Sequence, residues 1–303
     1  MENIPVFINE IAYVLGEDER AVGDIDGFAD FLARNRMIND AGLWGWDRFR
    51  AARGCASELA VAAARNSLAA FDDGAAAVDA VVLCGTHFST DVDSHADLVG
   101  RALDGLGLAH AVPYGVTLNR CATGLAGLEL AAALVACGRH AAVLLVVSDA
   151  VTGPADRLRP FAVFSDGAAS TVVAAKPGRF SLLATAAACD AKGMTAGGEI
   201  TADLTRRVNS DLARRSGTEI GDIRRIAHNN LFRPIAVMKE RQAGFRPDQL
   251  FLDNIGRIGH VFAADPFINL ADLAAAGALR PGDLAAMGSS VSGARFGALL
   301  RLR

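Results

Sequence analysis

The chain has 303 residues, 51% of them hydrophobic and 21% charged, which supplies a large core and excludes disorder. That length sets a prior of two domains or one two-lobed unit. The 30 basic and 34 acidic residues give a net charge of −4, without the domain-wide basic excess of a nucleic-acid binder. Mean hydropathy is high, at +0.27. The longest apolar stretch, Cys121 to Val147, nevertheless carries Glu129, Arg139 and His140 and divides into a helix and a strand. The opening MENIPVFINE lacks the basic start and apolar core of a secretory signal. Five cysteines with no CxxC fit a reducing compartment and no structural zinc. The expectation is a cytoplasmic protein without membrane or nucleic-acid partners.

Taken in chain order, strands are predicted at Pro5–Leu15, Val78–Cys84, Ala142–Ser148, Ala169–Ala174, Phe180–Ala187, Arg224–Ala227, Leu284–Met287 and Gly297–Leu302. Several are uniformly apolar, as strands buried on both faces are. Helices are predicted between them at Cys55–Phe71, Ser94–Leu103, Gly124–Cys137, Thr201–Arg215, Pro234–Ala243 and Pro266–Ala276. Strands alternating with helices imply an α/β layer architecture. A weak internal repeat adds to this. Each half reads polar turn, buried helix, charged turn, strand, Gly-rich hairpin and final strand. The first polar turn holds Cys121 and the second His260. Two such halves about a pseudo-twofold place both turns at one central site.

Cys121, in TLNRCATGLAG, directly precedes an apolar helix, where free backbone N–H groups and the helix dipole favour a thiolate. A free cysteine is more often a small buried hydrophobe, and Cys55, Cys84, Cys137 and Cys189 read that way. His228 ends the strand-like RRIA, at a strand-to-helix junction where α/β sheets present functional groups. His260 lies in the Gly-flanked turn IGRIGHVFAADP. Turn histidines are ordinary singly, but two at such junctions can converge on one thiol. His87, in THFSTD, and His95, His110 and His140 read as loop residues. No His/Cys/Asp set has metal-ligand spacing, so no metal is expected. The small-residue loop GSSVSGARFG permits the close backbone approach an oxyanion hole needs. Between Arg206 and Arg257 there are 11 basic and 6 acidic residues, a local surplus suited to an acidic or phosphate-bearing partner.

Together these segments resemble the thiolase-fold ketosynthases, most closely the β-ketoacyl-acyl-carrier-protein synthase III branch. TLNRCATGLAGLELAAALVACGRHAAVLLVVSDA is similar to its nucleophile segment and FAVFSDGAASTVV to its FGDGAGA hairpin. RRIAHNNLFRPIA resembles its PHQANxRI segment, IGHVFAADP stands where it has GNTSAAS, and GSSVSGARFGALLRLR resembles its terminal GGGFTWGSALVRF. The resemblance implies an αβαβα sandwich of two similar halves, residues 1–176 carrying the nucleophile and 177–303 carrying both histidines. It implies Cys121, His228 and His260 as catalytic residues. The oxyanion hole would come from the N–H of Cys121 and the Ser292–Gly293 loop. Arg233 would bind on the pantetheine or carrier-protein side. No cofactor is implied; acyl-CoA and acyl-carrier-protein thioesters are the substrates. A homodimer is expected, or a heterodimer with a related chain.

The sequence departs from the family where His260 replaces Asn, where the terminal glycines are reduced, and where the segment between Asp166 and His228 is shortened. The leading expectation is acyl loading on Cys121 and decarboxylative Claisen condensation with a malonyl-type thioester, in fatty-acid-like or specialised metabolism. The alternatives are acyl transfer to a hydroxyl or amine, and a non-catalytic partner subunit.

Overall fold

The computed structural model describes residues 4–86, 92–195 and 198–303; His87 lies outside them. Ten strands form one hydrogen-bonded order. In the first half they are β1 (Phe7–Ile8), β2 (Ala12–Leu15), β3 (Ala80–Cys84), β4 (Val112–Val116), β5 (Ala142–Asp149) and β6 (Gly167–Ala174). In the second they are β7 (Phe180–Cys189), β8 (Ile223–His228), β9 (Leu284–Val291) and β10 (Ala294–Leu302). The main helices are α1 (Ala56–Ala69), α2 (Val92–Gly105), α3 (Thr123–Ala136), α4 (Ala202–Ser216), α5 (Arg233–Gln242) and α6 (Asp265–Ala275).

The two halves share one topology. The first runs β4-β3-β5-β6 and continues to β1, with β2 also on β6; β3 is parallel to β4 and β5, and β5 is antiparallel to β6. The second runs β8-β9-β10-β7, with β8 parallel to β9 and β9 antiparallel to β10. The counterpart of β4 is reduced to a single parallel bridge, Ile226 to Leu250. The Cys121 turn and α3 therefore occupy the same topological place as the His260 turn and α6, as the repeat requires. Both α3 and α6 touch strands of both halves, so they form the middle helical layer. α1 lies on the first sheet and α4 on the second, completing the αβαβα order.

Composition explains this placement. α3, TGLAGLELAAALVA, is apolar on nearly every side, and such a helix is stable only when enclosed. A Cβ on Gly124 would sit 2.6 Å from the Ala263 carbonyl oxygen and 2.9 Å from the Phe267 ring. Only glycine lets α3 and the start of α6 approach that closely. β3, β6 and β9 are buried along their full length. The expected strand over Pro5–Leu15 is two strands, broken where the backbone and side-chain N–H groups of Asn9 both donate to the Val172 carbonyl oxygen. β1 bonds to β6 on one side and β7 on the other, joining the two sheets. β4 was not expected from VPYGV. It is an edge strand, where Pro113 forfeits no ladder bond on its open side. Among the described residues no helix is long and apolar enough to cross a membrane.

Candidate active site

The Cys121 turn is a single 3-10 turn, Arg120–Ala122, that runs directly into α3. The approach is strained: Leu118 has φ 72° and Arg120 φ 50°, a region that costs non-glycine residues about 1–2 kcal/mol each. The Thr123 hydroxyl donates to the Arg120 carbonyl oxygen at 2.6 Å and locks the turn. Cys121 is left half-buried.

The His260 turn comes from the other half. Its backbone is pinned to the hairpin before β6: His260 N–H donates to Val163 O at 2.8 Å, and Ser165 N–H donates to His260 O at 2.9 Å. Gly259, at φ 69°, is required here, because a Cβ would lie 2.8 Å from Val163 O. The imidazole is buried, with Phe164 packed on it at 4.6 Å between ring centres. Its Nε2 is 3.3 Å from Cys121 Sγ. Its Nδ1 meets Asp265 Oδ2 in a short hydrogen bond.

Asp265, the first residue of α6, completes a Cys121–His260–Asp265 relay. Its oxygens also accept from Asn230 N at 2.6 Å, Asn230 Nδ2 at 3.2 Å and Val261 N at 2.7 Å. Four donors converge on it, the environment of a carboxylate held as an acceptor. Burial opposes a charged His260, but Asp265 and then Cys121 outweigh it and hold the imidazole up to about 10. Asp265 was not among the site residues expected from the sequence. The signal was present: an acidic residue five positions after the histidine, in the first helical turn before Pro266.

His228 ends β8 and is fully buried. Its Nδ1 is 2.7 Å from the Asn229 carbonyl oxygen, which can only accept, so Nδ1 carries the proton and Nε2 keeps its lone pair. That Nε2 is buried and has no hydrogen-bond partner among the described residues. Burial pushes His228 below its ordinary value; Glu240 opposes this, and Lys239 and Arg295 reinforce it. Those three form a buried ion cluster, with Glu240 3.0 Å from both Lys239 Nζ and Arg295 Nη1. Burial disfavours the Glu240 charge, but Arg295, Lys239 and His228 draw it down to about 2, while burial brings Lys239 to about 8.

The two asparagines after His228 couple the site. Asn229 Oδ1 accepts from the Ser289 hydroxyl at 2.9 Å and from Ser290 N at 2.8 Å. The same Ser289 hydroxyl lies 2.7 Å from the Cys121 carbonyl oxygen. Asn230 Nδ2 binds Gly259 O at 2.8 Å, and Asn269 Nδ2 binds His228 O at 2.7 Å. Cys121, His228 and His260 are thus held in one network.

The other predicted residues sit further out. Val291 and Ala294, at the base of the β9–β10 hairpin, pack against Cys121 and Ala122. Its turn faces elsewhere: the Ser292 hydroxyl donates to Gly198 O, and Gly293 O accepts from Asp190 N at 2.8 Å. Arg233 is exposed at the start of α5 and donates to Gly42 O at 3.2 Å. Part of the basic surplus is paired locally, Arg214 and Arg215 with Asp211, Arg246 with Asp248 and Arg257 with Asp272. Among the described residues no three His, Cys, Asp or Glu side chains are grouped to hold a metal. A cavity of about 460 Å³ opens beside Cys121, walled by Val151, Phe161, Phe164 and Phe262.

A two-half αβαβα sandwich with a cysteine and two histidines at the junction of its halves defines a thiolase-like condensing enzyme. The family model described as 3-oxoacyl-[acyl-carrier-protein (ACP)] synthase III matches residues 117–191, and its C-terminal model matches 213–301, together more than half of the chain. The chain belongs to this ketosynthase III family, whose members carry out acyl-thioester condensing chemistry. Solved structures share the fold. An acyltransferase, ChlB3, is 20% identical with a TM-score of 0.84, 98% of each chain being covered. OleA from Xanthomonas campestris is 16% identical with a TM-score of 0.81, covering 99% of this chain and 100% of its own. 3-Oxoacyl-(acyl carrier protein) synthase III from Pseudomonas aeruginosa is 21% identical with a TM-score of 0.75, over 98% of each. No curated protein matches the sequence.

Proposed function

We propose that this protein is an acyltransferase that loads an acyl group from a thioester onto Cys121 and passes it to a hydroxyl or amine acceptor. The observation that carries this reading is the Cys121–His260–Asp265 relay, with His260 Nε2 3.3 Å from the thiol. His260, oriented by Asp265 and held as an imidazolium, already carries the Cys121 proton on Nε2, so the thiolate attacks the thioester carbonyl and the carrier thiol leaves with that proton. The Cys121 N–H, at the start of the helix, holds the carbonyl oxygen. In the acyl-enzyme both histidines give their Nδ1–H to oxygen, His260 to Asp265 and His228 to Asn229. Their Nε2 lone pairs suit proton removal from an acceptor O–H or N–H, the task of a general base. The acceptor oxygen or nitrogen attacks the acyl carbonyl, and Cys121 departs as the ester or amide forms.

Decarboxylative condensation with a malonyl-type thioester remains the second reading. It is favoured by the charge on His260, whose Nε2–H would stabilise an enolate oxygen. The donor in either case is acyl-CoA or an acyl carrier protein, which Arg233 and the basic Arg206–Arg257 stretch would engage. A homodimer is supported by the open edge of β4, with Val112 exposed, and by Leu118, 88% exposed, three residues before the nucleophile. The test is a chase of the isolated acyl-enzyme with an alcohol and amine panel and, separately, with carboxyl-labelled malonyl thioester. Ester or amide product without labelled carbon dioxide is expected. Carbon dioxide release coupled to a β-ketoacyl product would replace this reading with the second.

A further inference from the structure

The cavity beside Cys121 has an unusual polar complement. Besides its apolar wall it is lined by Thr86, Arg120, Thr152, Asp156 and Arg159. Three of these satisfy one another: Arg159 Nη2 binds Asp156 at 2.7 Å, and the Thr152 hydroxyl donates to Asp156 at 3.2 Å. The other two do not. The Arg120 guanidinium has no hydrogen-bond or ion-pair partner among the described residues, and the Thr86 hydroxyl is buried with none. Arg120 directly precedes the nucleophile and is held at φ 50°, a conformation that non-glycine residues adopt only at a cost.

A guanidinium offers a planar fork of N–H donors and no acceptor, and a carboxylate fits that fork with two parallel bonds. A hydroxyl adds one further donor. Arg120 is exposed at the cavity mouth, where an anion can reach its fork, whereas a plain alkyl acyl chain would leave the buried Thr86 hydroxyl unpaired against phenylalanine rings, which is unfavourable for a buried polar atom. On the reading that Cys121 is acylated, we propose that the acyl group it accepts bears its own carboxylate, bound by Arg120 and Thr86. The substrate class is then a dicarboxylic acid half-thioester, with its carboxylate beyond the thioester carbonyl on the cavity side.

The test uses matched donors on N-acetylcysteamine, so that no phosphate or carrier contributes. The initial rate of Cys121 acylation is measured by intact-protein mass spectrometry with malonyl and succinyl thioesters. Methyl-succinyl thioester, of nearly the same shape and uncharged, is the control. Wild type should favour succinyl or malonyl over the methyl ester. Arg120→Gln should lower that ratio by roughly 10- to 100-fold, the worth of a charge-assisted hydrogen bond. Thr86→Val should lower it less, and Arg120→Lys should restore part of it. Equal loss for charged and neutral donors would assign Arg120 to the thiol itself and overturn the proposal, as would a wild-type preference for the neutral ester. Absence of acylation by every donor, CoA thioesters included, would overturn the nucleophile assignment and this inference with it. Acylation without charge preference would overturn the inference alone.

Discussion

Replacing Asp265 with Asn is a near-isosteric change that removes one charge. Asp265 Oδ2 accepts from His260 Nδ1 and Asn230 N, and Oδ1 from Asn230 Nδ2 and Val261 N. An amide has one oxygen and one NH2, so one of these two donor pairs loses its acceptor in either orientation. If the NH2 faces His260, the imidazole must accept at Nδ1 and carry its proton on Nε2, where the Cys121 proton has to go. If it faces Val261, two buried N–H groups are orphaned, at about 1–3 kcal/mol each. The separation between 6.5 and about 10 for His260 corresponds to roughly 5 kcal/mol favouring the imidazolium, shared between Asp265 and Cys121. With Asp265 neutral, burial pulls His260 down. The expected result is a loss on the order of 10³–10⁴ in acylation rate at pH 7, by the logic of an orienting carboxylate in a triad. The alkaline limb of the pH profile, set by His260 at about 10, should move to lower pH. Stopped-time intact-mass measurements from pH 6 to 10 read both quantities. A variant that is folded by circular dichroism, acylates within tenfold of wild type and keeps its alkaline limb would refute the relay.

His228→Gln should slow transfer of the bound acyl group by roughly 10²–10⁴, more than it slows loading, because the buried Nε2 acts on the second substrate. Single-turnover chase of preformed acyl-enzyme measures this, and equal effects on the two steps would contradict it. Glu240→Gln leaves Lys239 and Arg295 buried without their counter-charge and should cost about 3–5 kcal/mol in denaturant melts. Glu240 sits at about 2 against an ordinary 4.5. Its stabilisation is therefore present above pH 4.5 and lost as pH falls through 2. Wild type should lose stability across that window, and Glu240→Gln should lack that part of the slope.

The architecture was legible where apolar runs were long and unbroken. β3, β5 and β6 fall within a few residues of their expected bounds because they are buried on both faces and contain no breaker. β4 was missed because VPYGV contains two residues that local propensity reads as a turn, and only its edge position makes them tolerable. The short helix Phe28–Arg34 was missed because it is stabilised by tertiary packing: Phe31 and Leu32 bury in a cluster with Trp46 and Phe232. At the site, the repeat pointed to the meeting of Cys121 with His260, and that contact depended on strand order alone. Asn229 and Asn230 were not found, because their side-chain bonds run to partners 29–61 residues away. No local pattern marks such bonds. The Ser292–Gly293 loop looked the part by composition, but Ser289, three residues earlier in β9, is the residue whose hydroxyl lies against Cys121.

The most direct test of the central claim is the stoichiometry and position of acylation. Wild type and Cys121→Ala are incubated with a panel of acyl thioesters, weighed intact and then mapped by peptide fragmentation. The account predicts one acyl group per chain, located on Cys121, absent from the variant and discharged on addition of an acceptor. Stoichiometric acylation of Cys121→Ala, or an acyl group found on another residue of the wild type, would contradict it.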